Sequence, residues 1–142
     1  MSQTSVVLTQ ADVQEWLDRS PFIRFLGLRV TALDHAAQRI TMHAPFRAEV
    51  ERGPGSDQWH GGPIAAIVDT VGDYALIMSL GRGLPTVNFR VDYLRPAIGT
   101  GLTATATVRR AGKSVGVVDV DVLDDKGALV AIGRATYSTL PA

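Results

Sequence analysis

The chain has 142 residues, 46% of them hydrophobic and 20% charged, a balance that suits one folded domain able to bury a core without metals or disulfides. Lysine plus arginine equals aspartate plus glutamate at 14 each, and zero net charge argues against a general nucleic-acid or membrane-surface binder. There is no cysteine, which excludes disulfides, thiolate metal sites and cysteine nucleophiles. Met1 to Gln10 has no basic stretch followed by an apolar core, so no secretory signal is read there and a cytoplasmic location is expected.

Residues 1–26 read as an N-terminal helical segment. Thr9 is an N-cap, with Asp12 three residues on as an acidic variant of the capping box. Val13, Trp16 and Leu17 then share one helical face. Ser20-Pro21 interrupts this helix, and Gly27 closes the apolar turn Phe22 to Leu26. Leu28 to Leu33 and Gln38 to Ala44 read as strands joined at Asp34-His35. In the second, Ile40, Met42 and Ala44 alternate with Arg39, Thr41 and His43, as in a sheet with one buried face. Glu49 to Trp59 is polar and glycine-rich, hence a loop.

A long helix follows, with Pro63 in its first turn, where the missing N–H loses no bond. Ile64, Ile67, Val68, Val71, Ala75 and Ile77 make it apolar nearly all round, so it is enveloped by the rest of the chain. Its length would span a bilayer, but Asp69 and Asp73 oppose insertion and favour a buried core helix. Gly81-Arg82-Gly83 ends it. The remainder reads as strands over Thr86 to Leu94, Leu102 to Arg110, Ser114 to Leu123 and Ala128 to Thr139, with Asp124 to Gly127 as a hairpin loop. Helix, two strands, buried helix and four strands predict an α+β layout in which an antiparallel sheet curls about the long helix.

The chemistry is concentrated in His60-Gly61-Gly62-Pro63-Ile64-Ala65-Ala66-Ile67-Val68-Asp69. Two glycines at a helix start let a ligand carbonyl approach the backbone. The first helical N–H groups lack internal partners and the macrodipole favours negative charge there, so an oxyanion would be stabilised by about 2.7–4 kcal/mol per good donor. Asp69, about two turns along the helix, has a carboxylate that can activate water as a general base or attack a carbonyl itself.

His-Gly-Gly, six residues, then Asp in an apolar helix resembles the PaaI-like branch of the hotdog-fold acyl-CoA thioesterases. Val91-Asp92-Tyr93-Leu94-Arg95-Pro96-Ala97 is similar to that branch's third strand, Arg110-Ala111-Gly112-Lys113-Ser114 to its next hairpin, and Ala131-Ile132-Gly133-Arg134-Ala135 to its last strand. The resemblance spans about Leu26 to Thr139. It implies a hotdog fold, a curved antiparallel sheet around a central helix. It also implies homodimers paired edge to edge, often assembled as dimers of dimers, with the site at the dimer interface. The substrate would be an acyl-CoA, with coenzyme A part of the substrate and no separate cofactor. Gly61 N–H would polarise the thioester carbonyl, with His60 supporting the turn and Gly62 against the substrate. Asp69 would come from the facing chain. Thr86 stands where the family often has a hydroxyl that positions water. Asn88 and Tyr93 would line the pantetheine and acyl path, and Arg110, Gly112, Lys113 and Ser114 would hold the nucleotide end, whose phosphates need cationic donors. The family usually has Asn or Gln six residues before the His; here that residue is Pro54, with Asp57 and Gln58 nearby at a different spacing.

Plainer readings stand beside these. Asp69 can be a core carboxylate, although buried unpaired acids are costly. Asp73 reads as a pairing or solvent-side residue. His60 reads more as a loop-holding ring than as an acid–base group, and Gly61-Gly62 as a turn. Arg109, Arg110 and Lys113 have the look of a solvated hairpin tip, and Thr86 is a common strand residue. His35, His43 and His60 have no metal spacing, so no metal is expected. Trp59 and Tyr74 offer walls for aryl or aliphatic acyl groups. Two other functions remain open: a hotdog hydratase or dehydratase using His60 and Asp69, and a non-catalytic acyl-CoA-binding module.

Overall fold

The computed structural model describes residues 6–141; the start of the Met1–Gln10 stretch and Ala142 lie outside the described residues. The N-terminal helix α1 (Gln10–Arg19) carries the expected cap. Thr9 Oγ1 accepts from Asp12 N–H at 3.2 Å and the Asp12 carboxylate accepts from Thr9 N–H at 2.8 Å. A short α2 (Pro21–Leu26) ends at Gly27, whose φ of 70° favours glycine. The chain then forms β1 (Arg29–Asp34), β2 (Arg39–Ala44), a 3-10 turn over Ala48–Val50, the helix α3 (Gly61–Leu80), and β3 (Thr86–Tyr93), β4 (Leu102–Ala111), β5 (Val115–Asp124) and β6 (Leu129–Ser138).

The six strands form one antiparallel sheet in the order β1-β2-β4-β5-β6-β3. α3 packs against β2, β3, β4, β5 and β6, so the sheet curves about it as the chain order predicts. Ten residues of α3 are buried, from Ile64 to Met78. The helix is long and apolar enough to cross a membrane; burial against the sheet accounts for the same hydropathy. Ile40, Met42 and Ala44 are fully buried, as their alternation requires.

Three missing Cβ atoms set how closely helix and sheet approach. A Cβ on Gly72 of α3 would meet Tyr137 Oη at 2.5 Å, one on Gly116 of β5 would meet Leu76 Cδ1 at 2.6 Å, and one on Gly133 of β6 would meet Val68 Cγ1 at 2.5 Å. Glycine inside a helix costs about 1 kcal/mol relative to alanine. At Gly72 that cost is offset by room for Tyr137, which is fully buried and donates its hydroxyl to the Asp69 carbonyl at 2.6 Å.

The two sheet edges differ. Along β1, side chains of α1 occupy the free backbone groups: Val30 N–H donates to Gln14 Oε1 at 2.8 Å, while Gln14 Nε2 donates to Leu28 O and Gln10 Nε2 to Val30 O, both at 3.1 Å. Nothing among the described residues pairs with the outer edge of β3, where Val87, Phe89 and Tyr93 are 61%, 39% and 52% exposed. An open edge with apolar side chains is a template for another strand.

Gly72→Ala is expected to destabilise the fold by about 1–3 kcal/mol in urea unfolding, since the new methyl group would overlap the fully buried Tyr137. The penalty should shrink in a Tyr137→Phe background, where the clashing hydroxyl is gone; an undiminished penalty would show that Tyr137 is not the obstacle.

Candidate active site

The start of α3 is organised by His60. It is the N-cap residue, and its Nδ1 accepts from Gly62 N–H at 3.3 Å. That uses the Gly62 amide and leaves Gly61 N–H without a partner among the described residues. The Tyr93 hydroxyl donates to the Gly61 carbonyl at 2.6 Å, and a Cβ on Gly61 would come within 3.3 Å of the same hydroxyl. Partial burial raises the Tyr93 phenol above its ordinary value, so it remains a neutral donor.

Beside this helix start lies a cavity of about 410 Å³, walled by Trp59, Ile64, Tyr93 and Ala97, with Arg52, Gln58 and Arg95 as its polar groups. Trp59 is held by its indole N–H, which donates to Thr100 O at 2.8 Å. Tyr74, the other aromatic wall expected for an acyl group, is buried at only 8% exposure. Pro54 lies outside the cavity wall; the nearby amide that lines it is Gln58.

Asp69 is half-buried on α3, and its Oδ1 accepts from Thr86 Oγ1 at 2.8 Å. A β-bulge makes this contact possible. Thr86 pairs with Tyr137 and Asn88 with Thr136, so Val87 is an extra residue on β3. Without it, alternation would put Thr86 on the outer face with Arg90 and Asp92; with it, Thr86 shares the inner face with buried Tyr137. The same shift separates Asn88 from Thr86: paired with Thr136, Asn88 stands on the outer face.

Arg110, Lys113 and Ser114 are exposed at the β4–β5 turn. The turn is pinned by Thr139, whose hydroxyl donates to Gly112 O at 2.5 Å and whose N–H donates to Ser114 O at 2.9 Å. Gly116 against Leu76 puts this hairpin beside the C-terminal half of α3, about 10 Å along the axis from Asp69 at 1.5 Å per residue. By the same rise, Asp69 is about 12 Å from Gly61. Within one chain, therefore, the free Gly61 amide and the Asp69 carboxylate cannot touch the same carbonyl.

Asp73 departs from the expected pairing or solvent-side role. Its Oδ1 is buried without a hydrogen-bond partner. Burial, and secondarily the Asp69 charge, push its carboxyl up to about 8. Tyr137 was legible only as a strand residue; a glycine in mid-helix, Gly72, was the one signal that a large side chain crosses there.

The sequence model of the thioesterase superfamily matches residues 58–131, from just ahead of His60 into β6. The chain belongs to the thioesterase superfamily. The acyl-coenzyme A thioesterase PaaI of Escherichia coli is 32% identical over 110 residues, covering 77% of this chain and 75% of that protein. The medium/long-chain acyl-CoA thioesterase YigI of Salmonella typhimurium is 31% identical over 139 residues, covering 82% and 84%. The solved structure of the E. coli PaaI protein superposes with a TM-score of 0.81 at 26% identity, over 93% of each chain. The curved sheet around α3 is thus the hotdog fold. In this thioesterase the superfamily match contains Gly61, Asp69 and Thr86, together with the unpartnered Asp73.

The Asp73 carboxyl sets the sign of a stability test. Its folded-state value is raised, so its contribution is intact below the ordinary carboxylate range and is lost as pH rises towards about 8. Asp73→Asn should remove that part of the pH dependence and raise the thermal midpoint most at alkaline pH. Equal midpoint shifts across the whole range would place the proton elsewhere.

Proposed function

We propose that this chain hydrolyses acyl-CoA thioesters at a site shared by two copies, with Asp69 from one and the Gly61 N–H from the other. The observation that carries the reading is how β3 is tied at its two ends. Thr86, at its start, holds Asp69; Tyr93, at its end, holds Gly61. A second copy joining antiparallel along the open β3 edge sets the start of one strand beside the end of the other. Asp69 then approaches the partner's Gly61, and the 12 Å separation within a chain is bypassed. Such an isologous pairing gives two equivalent sites.

In that site the thioester carbonyl oxygen points at Gly61 N–H, where the helix start favours the developing negative charge. Asp69 Oδ1 is fixed by Thr86, leaving Oδ2 to take a proton from water or to attack the carbonyl. Collapse of the tetrahedral intermediate expels the coenzyme A thiolate, which takes up the proton lost by water, and leaves the free acid; after direct carboxylate attack it leaves an anhydride on Asp69, which water then hydrolyses to the acid and the regenerated carboxylate. The cavity beside Gly61, with Trp59 and Ile64 in its wall, suits the apolar arm of the substrate. Exposed Arg110 and Lys113 supply cations for the nucleotide phosphates. His60 has Nδ1 committed to Gly62 N–H, which supports a capping role over the acid–base role a dehydratase would ask of it.

Release of free thiol from a panel of acyl-CoAs, read with a chromogenic thiol reagent, tests the activity. Asp69→Asn should lower turnover by about 10²–10⁴-fold, the usual cost of losing a positioned base; unchanged hydrolysis would remove Asp69 from the mechanism. The shared site has its own test. Asp69→Asn and Gly61→Ala are each expected to be impaired. Dissociated and reassembled together in equal amounts, they form hybrids in half of the dimers, each with one intact site, so about a quarter of wild-type activity should return. No recovery on mixing would mean that each chain carries a complete site.

A further inference from the structure

The face of α3 that carries Asp69 holds a second carboxyl that the proposed reaction does not use. Asp73 stands one turn further on, where i and i+4 side chains are neighbours about 5–6 Å apart at Cβ. Its Oδ1 is buried and unpartnered, and no lysine or arginine among the described residues forms an ion pair with it. The titratable and charged groups around it are Asp69 and Tyr74 on α3 itself, Tyr137 from β6, and Arg19 of α1, whose influence falls on Tyr74. The Tyr137 hydroxyl is committed to the Asp69 carbonyl, and the Thr86 hydroxyl to Asp69 Oδ1. Asp73 is half-buried, and its buried Oδ1 therefore has neither a countercharge nor a donor, while Asp69 Oδ1 has a donor.

Two carboxylates this close cannot both ionise without penalty, and the proton goes to the one with the poorer environment. We propose that Asp73 is a positioning residue for the thioester chemistry: held as a neutral acid, it confines the negative charge of the pair to Asp69, and its ionisation disables the site. The inference rests on the reading of Asp69 as base or nucleophile given above. A second negative charge one helical turn from Asp69 would oppose the oxyanion that forms in the transition state. Burial, reinforced by the Asp69 charge, raises the Asp73 carboxyl to about 8, so the neutral form prevails around neutral pH and is lost just above it.

The test is the pH dependence of kcat and KM for wild type and Asp73→Asn, which keeps the size and a donor but not the charge. Wild-type kcat should fall about tenfold per pH unit on the alkaline side of an inflection near pH 8, with little change in KM. The Asn variant should keep its turnover across that range relative to its own value at neutral pH. A structural role alone would lower activity at every pH and leave the inflection in place. A second measurement does not depend on activity: carbon NMR of labelled aspartate carboxyls in the wild-type protein, with the Asp73→Asn spectrum identifying the Asp73 signal, should show that carboxyl titrating near pH 8. An alkaline limb that survives in Asp73→Asn, or an Asp73 signal titrating in the ordinary carboxylate range, overturns the inference. Absence of thiol release from every acyl-CoA would instead sink the functional reading, and the NMR titration would still decide where the proton sits.

Discussion

Strand β3 is tied to helix α3 at both ends, and the candidate site follows from those two ties. At one end the Thr86 hydroxyl grips the Asp69 carboxylate; at the other the Tyr93 hydroxyl grips the Gly61 carbonyl. They measure 2.8 and 2.6 Å, and the first has a carboxylate acceptor, the stronger kind of hydrogen bond when that group is ionised. Together they fix which part of the helix lies at which end of an edge strand. Among the described residues that edge is open, while the β1 edge is occupied by Gln10 and Gln14. In the proposed dimer, the antiparallel crossing of two such strands turns a separation of two helical turns into an apposition.

The rigidity that such a site requires comes from packing. Gly72, Gly116 and Gly133 let α3 sit close to the sheet, with Tyr137, Leu76 and Val68 filling the space their side chains would take. Close-packed interiors transmit strain and tolerate little displacement. Asp69 is thus held twice, through its side chain by Thr86 from β3 and through its carbonyl by Tyr137 from β6. A site supported by two strands and a helix keeps its geometry better than one carried on a loop.

Asp69 and Asp73 are chemically identical, share a helix and differ by one turn, yet their surroundings differ. Both are half-buried, but Asp69 has a hydroxyl donor while one oxygen of Asp73 is buried with nothing to meet it. Environment assigns unlike roles to like acids by making one form costly in one place. The same reasoning explains why Tyr93 and Tyr137, both raised by burial, serve as neutral hydroxyl donors to backbone carbonyls.

Local features were legible in the order of residues. The capping box at Thr9 and Asp12, the glycine stops at Gly27 and Gly81, the enveloped helix and the alternation in β2 depend on short-range periodicity and on backbone preferences that act within a few residues. The His-Gly-Gly turn ahead of an aspartate was readable for the same reason. What the sequence could not show was anything that depends on register between distant segments. Simple alternation puts Thr86 and Asn88 on one face; the bulge at Val87, decided by pairing with β6, separates them and sends only Thr86 to the helix. Asp73 reads as a surface acid until one of its oxygens is seen buried without a partner, and Tyr137 as an ordinary strand residue until Gly72 is seen beneath it. Short-range preference chose the elements, but which side chains meet was set by the one packing that buries the apolar faces together. That choice is made by the whole chain at once.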